Sequence, residues 1–407
     1  MALSRFRLVL AALGGSVALA LASCSSPEPR DEGPADAAIG RDAGMELADA
    51  GIEHDAGTSD DGGTDRADAH DLGDAGSEPP QEPTPTRKVC DLTGPGTSAA
   101  LYRVGGTDLG IAVRQPDGDI AYIFGDTFEQ FTVGGPGWRS PVLLRSAPGR
   151  PSGCIEFTSA AGGAYAKQIL DYRHDHPDYS TWLPSDAITI GDRMYLHFMV
   201  NQGLGNVRWT QIAYSDDNGE NWTLSDARWP GDAANGLMQL WTWERGDDGY
   251  VYVFSTRFNR EEALILHRVR QEEILNPSAY EPWGYRDDAW GWGNPATVVL
   301  PGRFGELSLR RVEDKWVLAW FNAGDYRITI KVLEHPTSNL YTAPTYEPIL
   351  GGHWGPGGQS DTRVAQLYGA YIHPDSTLAD LHLIISQWNT ETHWPYRAMH
   401  FVTGVPR

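Results

Sequence analysis

Cysteine is scarce. The chain has three cysteines in 407 residues, too few and too far apart for a disulfide scaffold or a structural zinc site. Basic charge is scarce as well. Lys and Arg number 32 against 54 Asp and Glu, for a formal net charge of −22. Without a basic footprint, a nucleic-acid partner is excluded. No stretch sustains a 3.6-residue apolar period, which argues against a helical architecture. The apolar run Leu8 to Leu21 is broken by Gly14, Gly15 and Ser16, and it is too short to make a comfortable spanning helix. No Ser-His-Asp arrangement, phosphate loop or metal-ligand cluster stands out, so neither a cofactor nor a metal is expected.

What is present begins with a targeting pattern. Arg5 and Arg7 precede the apolar run, and the run closes on Leu21-Ala22-Ser23-Cys24. A charged start, a short apolar core and small residues before a cleavage point describe a secretory signal over 1–24. Cysteine in that place resembles a bacterial lipobox. The resemblance implies cleavage before Cys24 and acylation there, anchoring the protein to a membrane; an ordinary signal peptide with a chance cysteine is the alternative. Ser25 and Ser26, with no Asp beside the cysteine, resemble an outer-membrane sorting signal. The expected location is therefore exported, on the outer membrane or cell surface. In that oxidising setting Cys90 and Cys154 either pair or stay as two buried thiols.

Residues 25–88 read as a linker. From Ser25 to Thr86 there are 17 acidic residues, 3 arginines and no aromatic, with Asp-Ala-Gly recurring at Asp42, Asp49, Asp55 and Asp74. Such a stretch cannot bury enough apolar surface to offset its ordering entropy and is expected to be a disordered spacer. Asp60-Asp61-Gly62-Gly63 hints at calcium, but the ligand spacing of a calcium loop is missing.

From residue 89 to 407 the texture is all-β. A turn bearing Asp or Gly precedes an apolar, aromatic strand five times. The copies begin at Asp117-Gly118-Asp119, Gly191-Asp192, Asp247-Asp248-Gly249, Glu313-Asp314-Lys315 and Ala379-Asp380. Steps of roughly 60 to 70 residues suit one propeller blade each, so a five-bladed β-propeller is expected, with a β-sandwich as the competing fold. Ser215 to Trp222 fits the Asp-box pattern S-x-D-x-G-x-x-W. There Asp accepts local N–H groups, Gly permits a positive φ and Trp packs beneath. Asp217 is accordingly structural.

The first repeat carries the sharpest chemical signal. Gly105-Gly106-Thr107-Asp108-Leu109-Gly110 opens one strand and Phe124-Gly125-Asp126-Thr127-Phe128 closes the next. A hairpin centred on Asp117 places Asp108 opposite Asp126, with Cβ atoms ~4.5–5.5 Å apart. Retaining glycosidases hold their two carboxyl groups at ~5–5.5 Å. A turn shifted by one residue would weaken the match. Two facing acids cost stability unless compensated or used; capping a turn or pairing with Arg is the other reading.

The runs Gly-Thr-Asp-Leu-Gly and Phe-Gly-Asp-Thr-Phe resemble the opening of glycoside hydrolase family 183, which grew from the domain of unknown function 4185 group. Matching stretches follow in order: Leu183 to Ala187, Ser215 to Trp222, Phe254 to Phe258, Gly305 to Leu309, Leu367 to Pro374 and Ser386 to Asn389. The resemblance implies a five-bladed propeller that cleaves D-arabinan, a furanose polymer, in endo fashion with retention. It also implies that Asp108 and Asp126 are its two acids. One departure is Arg257-Phe258-Asn259-Arg260, where the family has a Gly-rich continuation.

Weaker candidates for holding substrate are Asp186 and Glu306, each equally suited to a structural cap, and Arg257, placed to orient a carboxylate. Tyr368, His373, Trp388 and Asn389 fall in the last blade. Trp388 suits stacking on a furanose ring, while His373 is of a type more often satisfied in a core than catalytic. The expected partners are a polysaccharide substrate and a membrane reached through Cys24, and the domain is expected to be a monomer. A non-catalytic glycan-binding surface lipoprotein is the alternative from another class. Hydrolysis of a different glycan, an L-arabinan or a sialoside, is a third; the arginine content argues mildly against sialosides, which call for an Arg cluster on the substrate carboxylate.

Overall fold

The computed structural model describes residues 82–406. The expected signal at 1–24, Cys24 and the linker up to residue 81 lie outside the described residues. Strand β1 (Arg87–Asp91) opens the ordered part and takes in Arg87 and Lys88 from the linker's expected end. Five blades follow in chain order, antiparallel except for one parallel pair at the edge of the fourth, where Leu350 to Gly352 run beside Arg363 to Ala365. Blade I holds β2 (Leu109–Arg114), β3 (Ile120–Phe124), β4 (Val142–Ser146) and β5 (Ser159–Ala160). Blade II holds β6 (Thr181–Ile190), β7 (Arg193–Asn201), β8 (Val207–Ser215) and β9 (Thr223–Pro230). Blade III has five strands: β10 (Leu240–Arg245), β11 (Tyr250–Thr256), β12 (Ile265–Arg270), β13 (Glu281–Arg286) and β14 (Ala289–Trp292). Blade IV also has five: β15 (Phe304–Val312), β16 (Lys315–Asn322), β17 (Arg327–Leu333), β18 (Thr345–Gly352) and β19 (Arg363–Ala365). Blade V is β20 (Leu367–Ile372), β21 (Leu381–Trp388) and β22 (Tyr396–Thr403), completed by β1.

The fold is thus a five-bladed β-propeller. Each of the five repeated strands legible in the sequence is the second strand of a blade: β3, β7, β11, β16 and β21. These are buried on both faces between neighbouring blades, so their apolar runs are nearly continuous. Within blade II the Asp-box forms the expected turn between β8 and β9. Asp217 accepts from the Asn221 N–H at 2.8 Å, and Trp222 Nε1 donates to Gly219 O at 3.0 Å.

The ring closes where β1 pairs with β22, for example Cys90 with His400. A disulfide joins Cys90 of this closing strand to Cys154, in the loop after β4 on blade I, with Cα atoms 5.7 Å apart. It bridges blades V and I across the one junction the chain does not itself connect in sequence order.

Inner strands β2, β6, β10, β15 and β20 surround the axis, each beside the next. A buried ion pair sits among them. Arg310 on β15 grips Asp186 on β6 through two bonds, at 2.7 and 2.9 Å. The same guanidinium donates to Ala112 O on β2 at 3.1 Å. Asp186 also accepts from Thr242 Oγ1 on β10 at 2.7 Å and from the N–H groups of Trp243 and Ala187. Asp186 is fully buried, so its expected role in holding sugar is corrected: it ties four blades together.

Two stability predictions follow from these fastenings. Asp186→Ala leaves the Arg310 charge buried without a partner and is expected to cost ~3–5 kcal/mol, read from guanidinium unfolding midpoints. Cys90→Ser removes a cross-link spanning 64 residues. A chain-entropy estimate puts the loss at about 4 kcal/mol, seen as a lower Tm than wild type under non-reducing conditions and no difference once both are reduced.

Candidate active site

The hairpin that carries the two acids turns where the sequence suggests. Gln115 N donates to Asp119 O at 2.8 Å, and Arg114 to Ile111 pair with Ile120 to Ile123 in a register centred on Asp117. Beyond Ile111 the register slips, and Leu109 pairs with Phe124. This β-bulge, with Leu109 at φ +66°, inserts one residue into β2. Asp108 therefore lies across from Gly125, whose N–H donates to Asp108 O at 3.2 Å. The direct opposition of Asp108 and Asp126 is corrected to an offset of one residue. Gly125 has a clear purpose here: a Cβ on it would come within 2.4 Å of Asp108 Oδ1.

Both acids still emerge at the same end of the hairpin. Each is densely surrounded by protein yet partly open to solvent. Burial, and then the Asp126 charge, push the Asp108 carboxyl up to about 7, against the opposing hydroxyls of Tyr368 and Tyr396. Tyr368 OH donates to Asp108 Oδ2 at 2.9 Å, while Oδ1 is buried without a partner. Burial raises Asp126 too, and it is countered by two donors on one oxygen. Trp138 Nε1 stands at 2.8 Å and Thr181 Oγ1 at 2.7 Å. Two carboxyls, both raised by burial but held by unequal donor sets, are the kind of pair whose environments can divide acid from nucleophile.

Blades III to V supply the floor on the Asp108 side. Glu306, at the start of β15, is buried and bound by the Arg260 guanidinium, which also lies 4.9 Å over the Tyr368 ring. The second Glu306 oxygen is buried without a partner, and its charge also raises Asp108. Arg257, expected to orient a carboxylate, is exposed and has no acidic partner among the described residues; it lines a separate open recess with Asn206 and Gln239. Arg260, three residues on, fills that role.

The other last-blade candidates divide. Tyr368 belongs to the site. Trp388 packs edge-on against Tyr396 at 5.8 Å and is half-buried, one ring behind the acids. Asn389 is a cap: its Oδ1 accepts from the N–H groups of Glu391 and Thr392, both at 3.1 Å. His373 lies past the far end of β20, away from Tyr368. It is buried beside His382, and burial lowers its pKa to about 3; a role in holding substrate is corrected to packing. Trp138, Thr181, Arg260 and Tyr396 were not singled out by sequence reasoning. Only Arg260 left a signal, as the second arginine of the segment that departs from the family pattern.

A family model described as "Domain of unknown function (DUF4185)" matches residues 93–402. The chain belongs to this family. Among curated relatives of this DUF4185 protein, Notoamide biosynthesis cluster protein J of Aspergillus sp. (strain MF297-2) is 32% identical over 322 residues, covering 72% of this chain and 82% of the relative. An uncharacterized 35.9 kDa protein of Mycolicibacterium smegmatis is 28% identical over 335 residues, covering 78% of this chain and 98% of that one. In structure, a protein of Bacteroides ovatus ATCC 8483 described as a candidate hydrolase aligns at TM-score 0.53 and 14% identity, over 75% of this chain and 88% of that chain. At that identity the likeness concerns the fold. A GH43_1 enzyme of Xanthomonas citri aligns more loosely, at TM-score 0.47 and 12% identity, over 74% of this chain and 89% of that chain.

The raised Asp108 pKa sets a stability prediction. Asp108 stays neutral to about pH 7 in the fold but ionises near 4 in an unfolded chain. Between those values the native state holds the extra proton, so stability falls as pH rises through the window. Asp108→Asn is expected to raise Tm above wild type at pH 8 and to match it at pH 4, by calorimetry at both.

Proposed function

We propose that this protein is a retaining, endo-acting glycoside hydrolase of arabinofuranose polymers, D-arabinan-like in substrate. The observation that carries this reading is the acid pair on one rim, with Asp108 pushed up to about 7 and Asp126 held by Trp138 and Thr181. Asp126 acts as nucleophile and Asp108 as acid/base. Asp126 attacks the anomeric carbon while Asp108 gives its proton to the leaving glycosidic oxygen, and the C–O bond breaks. Esterification then removes the Asp126 charge. That charge is one of the causes raising Asp108, so its loss shifts Asp108 toward the base it must become. Asp108 takes a proton from water, the water oxygen attacks the anomeric carbon, and the Asp126 carboxylate is released.

The substrate class is supported by the ordered resemblance to glycoside hydrolase family 183. The lipobox pattern at Cys24 and the acidic linker support export and display from a lipid anchor, as a monomer at the outer membrane or cell surface.

Asp126→Asn is expected to abolish release of oligosaccharides from D-arabinan while leaving the unfolding transition in place. Asp108→Asn should lower kcat by ~10²–10⁴-fold, with activated aryl glycosides spared more than the polymer. The wild-type rate should fall on the alkaline side as Asp108 loses its proton near pH 7, and that limb should vanish in Asp108→Asn. A wild-type protein that binds arabinan and releases nothing would leave a glycan-binding role in place of catalysis.

A further inference from the structure

The outermost hairpin of blade III, β13 and β14, carries an aromatic ladder far from the acids. Trp283 pairs with Trp292 and Tyr285 with Trp290 across the two strands. By strand alternation these four rings share one face. Their centroids are close: 4.8 Å between Trp283 and Trp292, 6.0 Å between Trp283 and Trp290, and 5.7 Å between Tyr285 and Trp290. The ladder is graded. Trp283 and Trp292 pack against the blade III core, whereas Tyr285 is 49% and Trp290 43% exposed.

The opposite face of the hairpin is sealed by the chain itself. Asn294 Nδ2 donates to Gly284 O at 3.1 Å, and a Cβ at Gly284 would lie 1.9 Å from Pro295 O. Only the aromatic face is left open. It stands three strand spacings, ~14 Å, outside the inner strand of its blade, on a different blade from Asp108 and Asp126. Nothing in the hydrolytic mechanism uses it.

Its size and charge choose among occupants. An aromatic side chain offers ~150–250 Å², so the exposed parts of two rings leave roughly 200 Å² free, a quarter of the ~800 Å² per partner that a stable protein interface needs. The hairpin tip is Arg286, Asp287 and Asp288, with Arg286 and Asp287 paired at 3.5 Å and both well exposed. That tip carries one net negative charge and does not suit an anionic lipid surface. A small flat aromatic patch beside mixed donors and acceptors suits an uncharged ring with apolar faces and hydroxyl edges.

We propose that the β13–β14 hairpin is a non-catalytic docking site for a neutral polysaccharide. Sugar rings stack on Tyr285 and Trp290, and the tip residues bond their hydroxyls. The ligand class rests on the glycan reading given above; the site does not depend on cleavage.

The test is affinity electrophoresis of the full chain through gels containing arabinogalactan or, separately, xylan, using Asp126→Asn to prevent digestion. That protein should be retarded in at least one gel. Adding Tyr285→Ala and Trp290→Ala should weaken retardation by about tenfold in apparent affinity, while Tyr285→Phe, which keeps the ring, should not. With Asp126 intact, the double alanine variant should cleave a short soluble arabinan oligosaccharide at the wild-type kcat. Equal retardation with and without the two rings overturns the docking site, as does no retardation in either gel. Binding to anionic vesicles, or concentration-dependent dimerisation, lost with the rings would also overturn it. A wild type that cleaves no furanose polymer but is retarded through Tyr285 and Trp290 sinks the hydrolase reading and leaves the docking site standing.

Discussion

Arg310 holds Asp186 at the axis of the ring, and the blades are arranged around that contact. One guanidinium reaches β6 and β2 from β15, and the carboxylate it binds also takes donors from β10. A propeller has little sequence-local reason to keep its blades in register, because each sheet is complete in itself. Polar bonds between inner strands supply that reason. Leu309 N donates to Thr242 Oγ1, Ile372 N to Ser308 Oγ, and Trp241 N to Ser185 Oγ. Buried polar groups are costly unless paired, so an inner strand that rotated away would strand several at once. The junction between the last blade and the first is fastened by β1 on β22 and by the Cys90–Cys154 disulfide.

The same rigidity lets one corner of the ring hold two carboxyl groups together. Asp108 and Asp126 come from one hairpin, but their partners do not. Tyr368 and Tyr396 come from blade V, Arg260 from blade III, Glu306 from blade IV and Thr181 from blade II. Burial and the charges of Asp126 and Glu306 raise the Asp108 carboxyl, the Tyr368 and Tyr396 hydroxyls lower it, and the sum sets it at about 7. The bulge at Leu109 and the missing side chain at Gly125 are local adjustments that fit the Asp108 carboxyl into this setting. Blade III ends in an outer hairpin on which Tyr285 and Trp290 are left exposed.

The amino-acid sequence by itself determined the all-β class, the number of blades and the strand that repeats in each, since apolar runs between Asp and Gly turns are a local signature. It also located the two acids, the Asp-box turn and the Tyr368 stretch. It did not decide which polar residues serve the site. Asp186 and Glu306 look alike in sequence, each opening an apolar run; one is consumed by Arg310 and the other faces Arg260 and Asp108. Arg257 and Arg260 differ by three residues, yet only one turns inward. His373 lies five residues from Tyr368, and that span carries it to the other end of its strand. Such differences are set by which blade lies opposite, a long-range relation that no local spacing encodes. The one-residue slip at Leu109 is of the same kind: the Leu109 N–H donates to Ser386 Oγ of the last blade at 2.9 Å, a neighbour that only the folded ring supplies.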